Sequence, residues 1–168
     1  MFTTLDSFLA AWKHEAEGTQ RLLDALTDES LKQSVTQDHR TLGRLAWHIT
    51  TSIHEMMSRT GLQFDAPGEE ATDVPSSAKI IADTFRTASA SFVQALQEQW
   101  TDATLLEEHN LYGEPWKNGL TLHVLIMHMV HHRGQMTVLM RQAGIKVPGI
   151  YGPALEEWSQ FGAPAPLV

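Results

Sequence analysis

Hydrophobic side chains recur at helical spacing in four long stretches of the chain. Within each stretch the apolar positions are three or four residues apart, and polar residues fill the positions between them. This period is typical of a helix that buries one face. The stretches cover about residues 5–26, 42–57, 75–100 and 120–142. The pattern therefore predicts four long amphipathic helices.

Capping and turn-forming residues fall between these stretches. Asp38 or Thr41 can cap the second helix. Residues 63–74 contain Pro, Gly and four acidic side chains, which predicts a surface loop. Gly144 follows the fourth helix in the position that favours glycine, and Pro153 favours a short terminal helix after it.

Residues 101–118 separate the third and fourth helices and show no clear periodicity. They include Gly113 and Pro115 as well as two large aromatic residues, Tyr112 and Trp116. Long connections in compact domains are often functional. We interpret this segment as a long ordered connection, whose aromatic side chains either close over a pocket or anchor the connection.

Together these elements predict an all-α fold. The architecture is a four-helix bundle with a long connection before the fourth helix and a short C-terminal helix. A chain of 168 residues suits one hydrophobic core, and no internal repeat is visible, so residues 1–168 are predicted to form a single domain.

The composition narrows the classes of partner and chemistry. The chain has 12 Lys and Arg against 20 Asp and Glu, a formal net charge of −8. This charge weighs against an extended phosphate-binding surface and therefore against nucleic acid as a partner, and a small molecule is expected instead. The chain has no Cys, so disulfides, thiolate nucleophiles and thiolate metal ligands are excluded. Any metal would be held by histidines and carboxylates.

The sequence predicts no membrane segment and no signal peptide. The most apolar stretch, residues 120–140, carries four histidines and an arginine, which a spanning helix would not tolerate. The N-terminus lacks a basic segment and becomes amphipathic at once. A cytoplasmic location is the resulting expectation.

Nine histidines are present, and four of them lie in the fourth predicted helix. His128 and His132 are four residues apart, which places their rings on one helix face about 6 Å apart along the axis. Helices commonly supply two nitrogen ligands to a metal at this spacing. Met129 stands where a zinc protease has its glutamate, so that class is excluded. A pair of histidines at this spacing is common by chance in a histidine-rich chain. The apolar residues beside this pair make it significant, because half-buried imidazoles need hydrogen-bond acceptors or a shared cation as partners.

A metal site needs at least a third protein ligand, and His48 in the second helix is the best candidate. Its neighbours Leu45 and Ile49 place it on the side of the helix that faces the core. A core histidine bonded to a carbonyl is the alternative interpretation. His54 is a weaker rival, because it lies on the side of the helix opposite Leu45, about 180° away. His131 lies on a neighbouring line of the fourth helix and is expected to support a ligand or to lie at an interface.

Two separated motifs give the chain a family resemblance. The C-terminal signature of the DinB-like family resembles residues 128–135, HMVHHRGQ, and its second-helix motif resembles residues 41–48, TLGRLAWH. Residues 151–158, YGPALEEW, also fit the family, and helix order and length agree over nearly the whole chain. The resemblance implies a four-helix bundle, commonly dimeric, that binds a divalent metal through three histidines. Carried onto this sequence, those ligands fall on His48, His128 and His132.

The resemblance also implies a range of activities. Relatives include metal-dependent thiol S-transferases and a thiol-dependent isomerase, besides many members without an assigned activity. Three neutral imidazoles leave a divalent ion its full charge and an open position, where a thiol or a water can be activated. The leading hypothesis is a metal-dependent transferase that uses a low-molecular-weight thiol and a small electrophile, with a metal-water hydrolase as a variant. Zn or Ni is expected, and Fe, Mn or Cu would also accept three imidazoles.

Two other classes fit the same sequence. One is a non-catalytic stress-response binding module in which the metal either joins the second and fourth helices or binds a small ligand. The other is a dimeric scaffold without metal. An exchangeable position beside an open cleft favours catalysis, whereas a closed shell of protein ligands favours a structural role. A homodimer is expected from the resemblance and from the Leu, Val and Trp content of segments near the surface.

Four residues near the predicted ligands are candidates for supporting roles. Glu55, seven residues after the second-helix ligand, is a weak candidate for a catalytic base, although such a residue is more commonly solvated. Gln135 is a weak candidate for orienting a ligand. Arg133 either binds an anionic substrate or lies exposed or at an interface. Gly134 costs a helix roughly 1 kcal/mol relative to Ala, which predicts close packing or room for a ligand.

Overall fold

Four long helices form the body of the protein within residues 1–167, the part that the computed structural model describes. They are α1 (Leu5–Asp24), α2 (Leu42–Ser58), α3 (Ala78–Gln99) and α4 (Asn118–Gln142). The predicted stretches match these bounds closely, and the all-α fold class is confirmed. None of the helices in this part of the chain has the length and apolar character needed to cross a membrane.

The helices pack in the order α1, α3, α2, α4 around the bundle, and α4 closes the ring against α1. Aromatic side chains from α1 and α3 fill the centre of one half. The ring of Phe92 meets those of Trp12 and Phe8 edge-on, with centroids 5.0 and 5.9 Å away. Burial of such large apolar side chains is the main favourable term in the stability of the bundle. Because α2 and α4 are neighbours in this order, residues on their facing sides can share one site.

Local signals fix the ends of the two helices that carry the predicted ligands. The Thr41 hydroxyl accepts a hydrogen bond from the Arg44 amide at 3.1 Å, so Thr41 is the cap of α2 and Asp38 is not. At the end of α4, Gly144 has a φ of +75°, a conformation that favours glycine. The Ile145 amide then donates to the Met140 carbonyl at 2.8 Å, which satisfies one of the last carbonyls of the helix.

The connection before α4 contains a β-hairpin that the sequence did not predict. Strands β1 (Glu108–Leu111) and β2 (Glu114–Lys117) pair antiparallel, after a short 3-10 helix at Asp102–Leu106. Tyr112 and Gly113 form the turn with φ angles of +56° and +92°. Two-residue turns of this kind usually carry Asn or Asp before the Gly, so a Tyr in that position conceals the hairpin signal.

The predicted C-terminal helix is a 3-10 helix, Leu155–Phe161, none of whose residues is buried. The segment before it is held more firmly, because it packs on α1. A Cβ atom added at Gly18 would lie 2.7 Å from Cγ2 of Ile150. Gly18 is therefore needed for this close approach, and residues next to Ile150 can reach the side chains of α1.

The loop at residues 63–74 contains no helix or strand, as predicted, but it is not free of the bundle. The Trp47 indole N–H donates to the Ala71 carbonyl at 2.7 Å, and Phe64 packs against Phe92 with ring centroids 5.6 Å apart. The loop therefore covers the outer side of α2 and forms one wall of a cleft there.

Candidate metal centre

Three imidazoles converge between α2 and α4. Nε2 of His128 lies 3.2 Å from Nε2 of His48 and 3.1 Å from Nε2 of His132. One nitrogen from each ring lies within 4.8 Å of the other two. The rival His54 is not part of this cluster, since its ring packs on Phe64 with centroids 5.2 Å apart. The structure thus brings together the three histidines that the sequence singles out.

The spacing of the three nitrogens fits a divalent ion. Zn–N bonds of 2.0–2.1 Å in tetrahedral geometry place two ligand nitrogens about 3.3 Å apart, close to the separations in this cluster. Without a cation, a proton between two Nε2 atoms leaves the third lone pair facing its neighbours. Nδ1 of His128 is also buried without a hydrogen-bond partner in residues 1–167. A cation that accepts all three Nε2 lone pairs is therefore compatible with this donor set.

Gln135 fixes the tautomer of His132. Its side-chain oxygen accepts a hydrogen bond from Nδ1 of His132 at 2.8 Å, and its amide N–H donates to Nε2 of His131 at 3.1 Å. A proton on Nδ1 leaves the Nε2 lone pair of His132 directed at the other two rings. Gln135 thus has the contact that its predicted orienting role requires, and His131 acts on the cluster through Gln135.

Burial keeps the three imidazoles neutral. Burial and, after it, repulsion between the clustered rings together lower the pKa of His48 and of His128 from 6.5 to about 4. Burial also lowers the pKa of His132, although the hydrogen bond to Gln135 works in the opposite direction. At neutral pH all three Nε2 lone pairs are therefore available to a Lewis acid.

Two clefts open beside the cluster. A cleft of about 520 Å³ adjoins His132 and has apolar walls that include Val35, Leu45 and Val138. A smaller cleft of about 320 Å³ adjoins His48 and is lined mainly by polar residues of α2 and of the 63–74 loop. The described residues therefore do not enclose the cluster as a closed structural site would be enclosed.

Glu55 lies in the smaller cleft and already has two partners. Its carboxylate accepts a hydrogen bond from the Tyr112 hydroxyl at 2.8 Å and pairs with Arg59 at 3.0 Å. Burial and this carboxylate raise the pKa of Tyr112 to about 12, so the hydroxyl stays a donor. Trp116 packs on the Tyr112 ring with centroids 5.7 Å apart. Of the two roles considered for Tyr112, the contacts correspond to an anchor of the hairpin on α2.

Arg133 is neither exposed nor open to an anionic substrate, two of the three roles considered for it, and lies instead where α4 meets α1 and the C-terminal segment. It is 2% exposed, pairs with the carboxylate of Glu15 and donates to the Glu15 carbonyl at 2.8 Å and to the Tyr151 hydroxyl at 2.6 Å. The close packing expected at Gly134 is also absent within residues 1–167, where no atom lies within 4 Å of a Cβ built there. The sequence carries no local signal for the Arg133 pair, because its partner lies 118 residues away.

Comparisons with known proteins agree on one family. The model of the DinB family matches residues 1–165. The protein YrdA of Bacillus subtilis (strain 168) is 58% identical over 166 residues, which cover 99% of each chain. A crystal structure of a DinB-like protein from Bacillus cereus ATCC 10987 is 51% identical, with a TM-score of 0.87 over 90% of this chain and 100% of that one. The DinB-like protein YjoA of Bacillus subtilis shares the fold alone, at 18% identity and a TM-score of 0.67 over 86% of this chain and 97% of its own.

Proposed function

The chain belongs to the DinB family, and on that premise we propose that it is a divalent-metal-dependent transferase that joins a low-molecular-weight thiol to a small electrophile. One observation carries the proposal: three neutral imidazoles direct their Nε2 atoms at a common point between two open clefts. An open point of this kind suits catalysis better than a purely structural ion.

His48, His128 and His132 would hold the ion, and Zn or Ni suits three imidazole donors. When bound, such an ion supplies a Lewis acid that lowers the pKa of a thiol or a water in its open position. The chain contains no Cys, so a sulfur nucleophile must arrive as a separate small molecule. This chemistry suits a reducing compartment, and we include a cytoplasmic location in the proposal.

The protein's own side chains would orient the metal ligands and exclude water from the site, and would not react themselves. Gln135 holds the proton on Nδ1 of His132 and so keeps Nε2 free for the ion. The apolar walls of the larger cleft favour an apolar electrophile and limit access of water. Tyr112 and Glu55 hold the hairpin against α2, at the edge of the smaller cleft.

Elemental analysis tests the metal. We expect about one divalent ion per chain in the wild type, and loss of it in the His48→Ala and His132→Ala variants. His109→Ala is the matched control, because His109 lies on β1 outside the cluster and should leave the metal content unchanged. A wild-type protein that binds no divalent ion would refute the site.

Adduct formation tests the reaction. The metal-loaded protein is incubated with a panel of thiols and electrophiles, and mass spectrometry scores the products with and without a chelator. The proposal expects chelator-sensitive adducts. Cleavage of an electrophilic ester without any thiol would favour the hydrolase variant. A protein that binds metal but forms no product would favour the non-catalytic binding module.

We also propose that the protein is a homodimer joined through the outward face of α4. This face repeats at alternating spacings of four and three residues and carries no charged side chain: Leu120, Val124, Met127, His131, Gly134 and Val138. Met127 and Val138 are each 52% exposed. Charge depletion at heptad spacing is typical of the centre of a helical interface.

Analytical ultracentrifugation tests the homodimer. The wild type should sediment as two copies and Val138→Glu as one. Ile80→Glu is the control, since Ile80 is equally apolar and 55% exposed but lies on α3. A monomeric wild type, or equal dissociation in both variants, would exclude this interface.

A further inference from the structure

Arg40 is the residue that lines both clefts beside the histidine cluster. It lies in the exposed polar segment that leads into α2. His132 lines the larger of these clefts and His48 lines the smaller one. Arg40 therefore shares a cleft with one imidazole on each side of the cluster.

The other charged side chains of the smaller cleft already have partners. Arg44 donates to the Thr72 carbonyl at 2.8 Å, and both Glu55 and Glu69 pair with Arg59. By contrast, the guanidinium of Arg40 takes part in none of the ion pairs among residues 1–167. It is thus a cationic donor with free capacity at the point where the two clefts meet.

The larger cleft places one acidic group near this donor. Asp38 lines that cleft together with Arg40, yet the two side chains do not form an ion pair. The Asp38 carboxylate therefore leaves the fork of the guanidinium open.

We propose that Arg40 is a specificity residue that binds the carboxylate of a small substrate whose other end reaches the histidine cluster. This inference rests on the proposed function. A guanidinium fork matches a carboxylate in a planar, two-bond arrangement. A single guanidinium also balances one carboxylate charge, whereas a phosphate dianion would bring a second negative charge into the cleft that the Asp38 carboxylate lines.

Thiol binding to the Co²⁺-loaded protein tests the inference, because sulfur ligation produces a charge-transfer absorption band that needs no turnover. The probes are 3-mercaptopropionate and 3-mercapto-1-propanol, which differ in the carboxylate and not in chain length. In the wild type we expect about tenfold tighter binding of the carboxylate thiol. Arg40→Gln should abolish this preference and leave the affinity of the neutral thiol unchanged, which also shows that the variant is folded.

Two further variants distinguish recognition by the planar guanidinium fork from attraction by a positive charge alone. Arg40→Lys keeps the charge without the planar fork and should retain only part of the preference. Arg44→Gln removes a positive charge from the same end of α2 and should keep the full preference. Equal binding of both thiols by the wild type, a preference that survives Arg40→Gln, or its equal loss in Arg44→Gln would overturn the inference while the proposed function stands. A cobalt-loaded protein that shows no band with either thiol would instead overturn the proposed function, and the inference with it.

Discussion

Removal of the Glu15 carboxylate would leave the guanidinium of Arg133 buried without its charged partner. The two side chains are only 12% and 3% exposed, respectively, so bulk water has little access to the guanidinium. The Glu15 carbonyl, the Thr19 hydroxyl and the Tyr151 hydroxyl remain as neutral partners of the guanidinium. The variant Glu15→Ala therefore isolates the cost of one uncompensated buried charge.

The expected magnitude follows from this geometry. Loss of one member of a buried ion pair lowers the free energy of unfolding by about 3–5 kcal/mol. Because Arg133 keeps its neutral hydrogen-bond partners, we expect a loss near the lower end for Glu15→Ala, about 3 kcal/mol. In a chain of this size that loss lowers Tm by roughly 6–12 °C. Arg133→Met should cost less, because it removes the charge that is expensive to bury and leaves a carboxylate that still accepts from Tyr151.

Urea unfolding of the metal-free protein at pH 7, followed by circular dichroism, measures these differences. The double variant Glu15→Ala, Arg133→Met should be more stable than Glu15→Ala alone. Asp24→Ala is the control, because its ion pair with Arg86 is about half exposed and contributes little. The reasoning fails if Glu15→Ala costs no more than Asp24→Ala, or if the double variant is the least stable of the set.

Four further results are expected for the cluster and for α4. The metal-free protein should lose stability as pH falls from 6.5 towards 4, because His48 has a pKa of about 4 in the folded protein and is protonated over this range only in the unfolded chain. Urea midpoints across this range should fall less steeply in His48→Ala. An equal slope in the variant would contradict the assignment of the effect to His48. In the Val138→Glu background, which is expected to be monomeric, Gly134→Ala should raise the free energy of unfolding by about 1 kcal/mol, since its Cβ meets nothing in the chain. Gly119→Ala should lower it because its Cβ would collide with a main-chain oxygen, and urea unfolding that moved both variants in one direction would refute this account. Gln135→Leu should weaken Zn²⁺ binding about 10–100-fold in a chelator competition, whereas Gln135→Glu retains an acceptor, and unchanged affinity in the Leu variant would remove Gln135 from the support of the site.

The sequence predicts those parts of the structure that depend on local periodicity. The spacing of His128 and His132 is local, and the apolar neighbours of His48 indicate the side of α2 on which it lies. The cluster could therefore be predicted from the sequence alone. The hairpin could not, because Tyr112 adopts a positive φ that its residue type rarely takes. Its conformation is fixed instead by the bond from its hydroxyl to Glu55, which lies 57 residues earlier.

Non-local polar contacts explain the other differences. The environment of Arg133 depends on how α4 packs against α1 and the C-terminal segment. The periodicity of hydrophobic residues does not predict this packing. The same holds for Arg40, whose position beside two clefts depends on how the segment before α2 lies against α4. In a helical bundle the apolar pattern specifies which faces are buried, but the pairing of buried charges is settled only when the helices have packed.

The two consecutive residues His132 and Arg133 link stability to the candidate metal centre. Successive residues of a helix point about 100° apart, and here His132 faces α2 while Arg133 faces α1. Two polar contacts on different sides thus fix the rotation of α4 about its own axis. A small rotation that relaxed the Arg133 pair would carry His132 away from the other two imidazoles. The buried ion pair therefore acts as a positioning element for the cluster, and Glu15→Ala should weaken metal binding although Glu15 touches none of the three histidines.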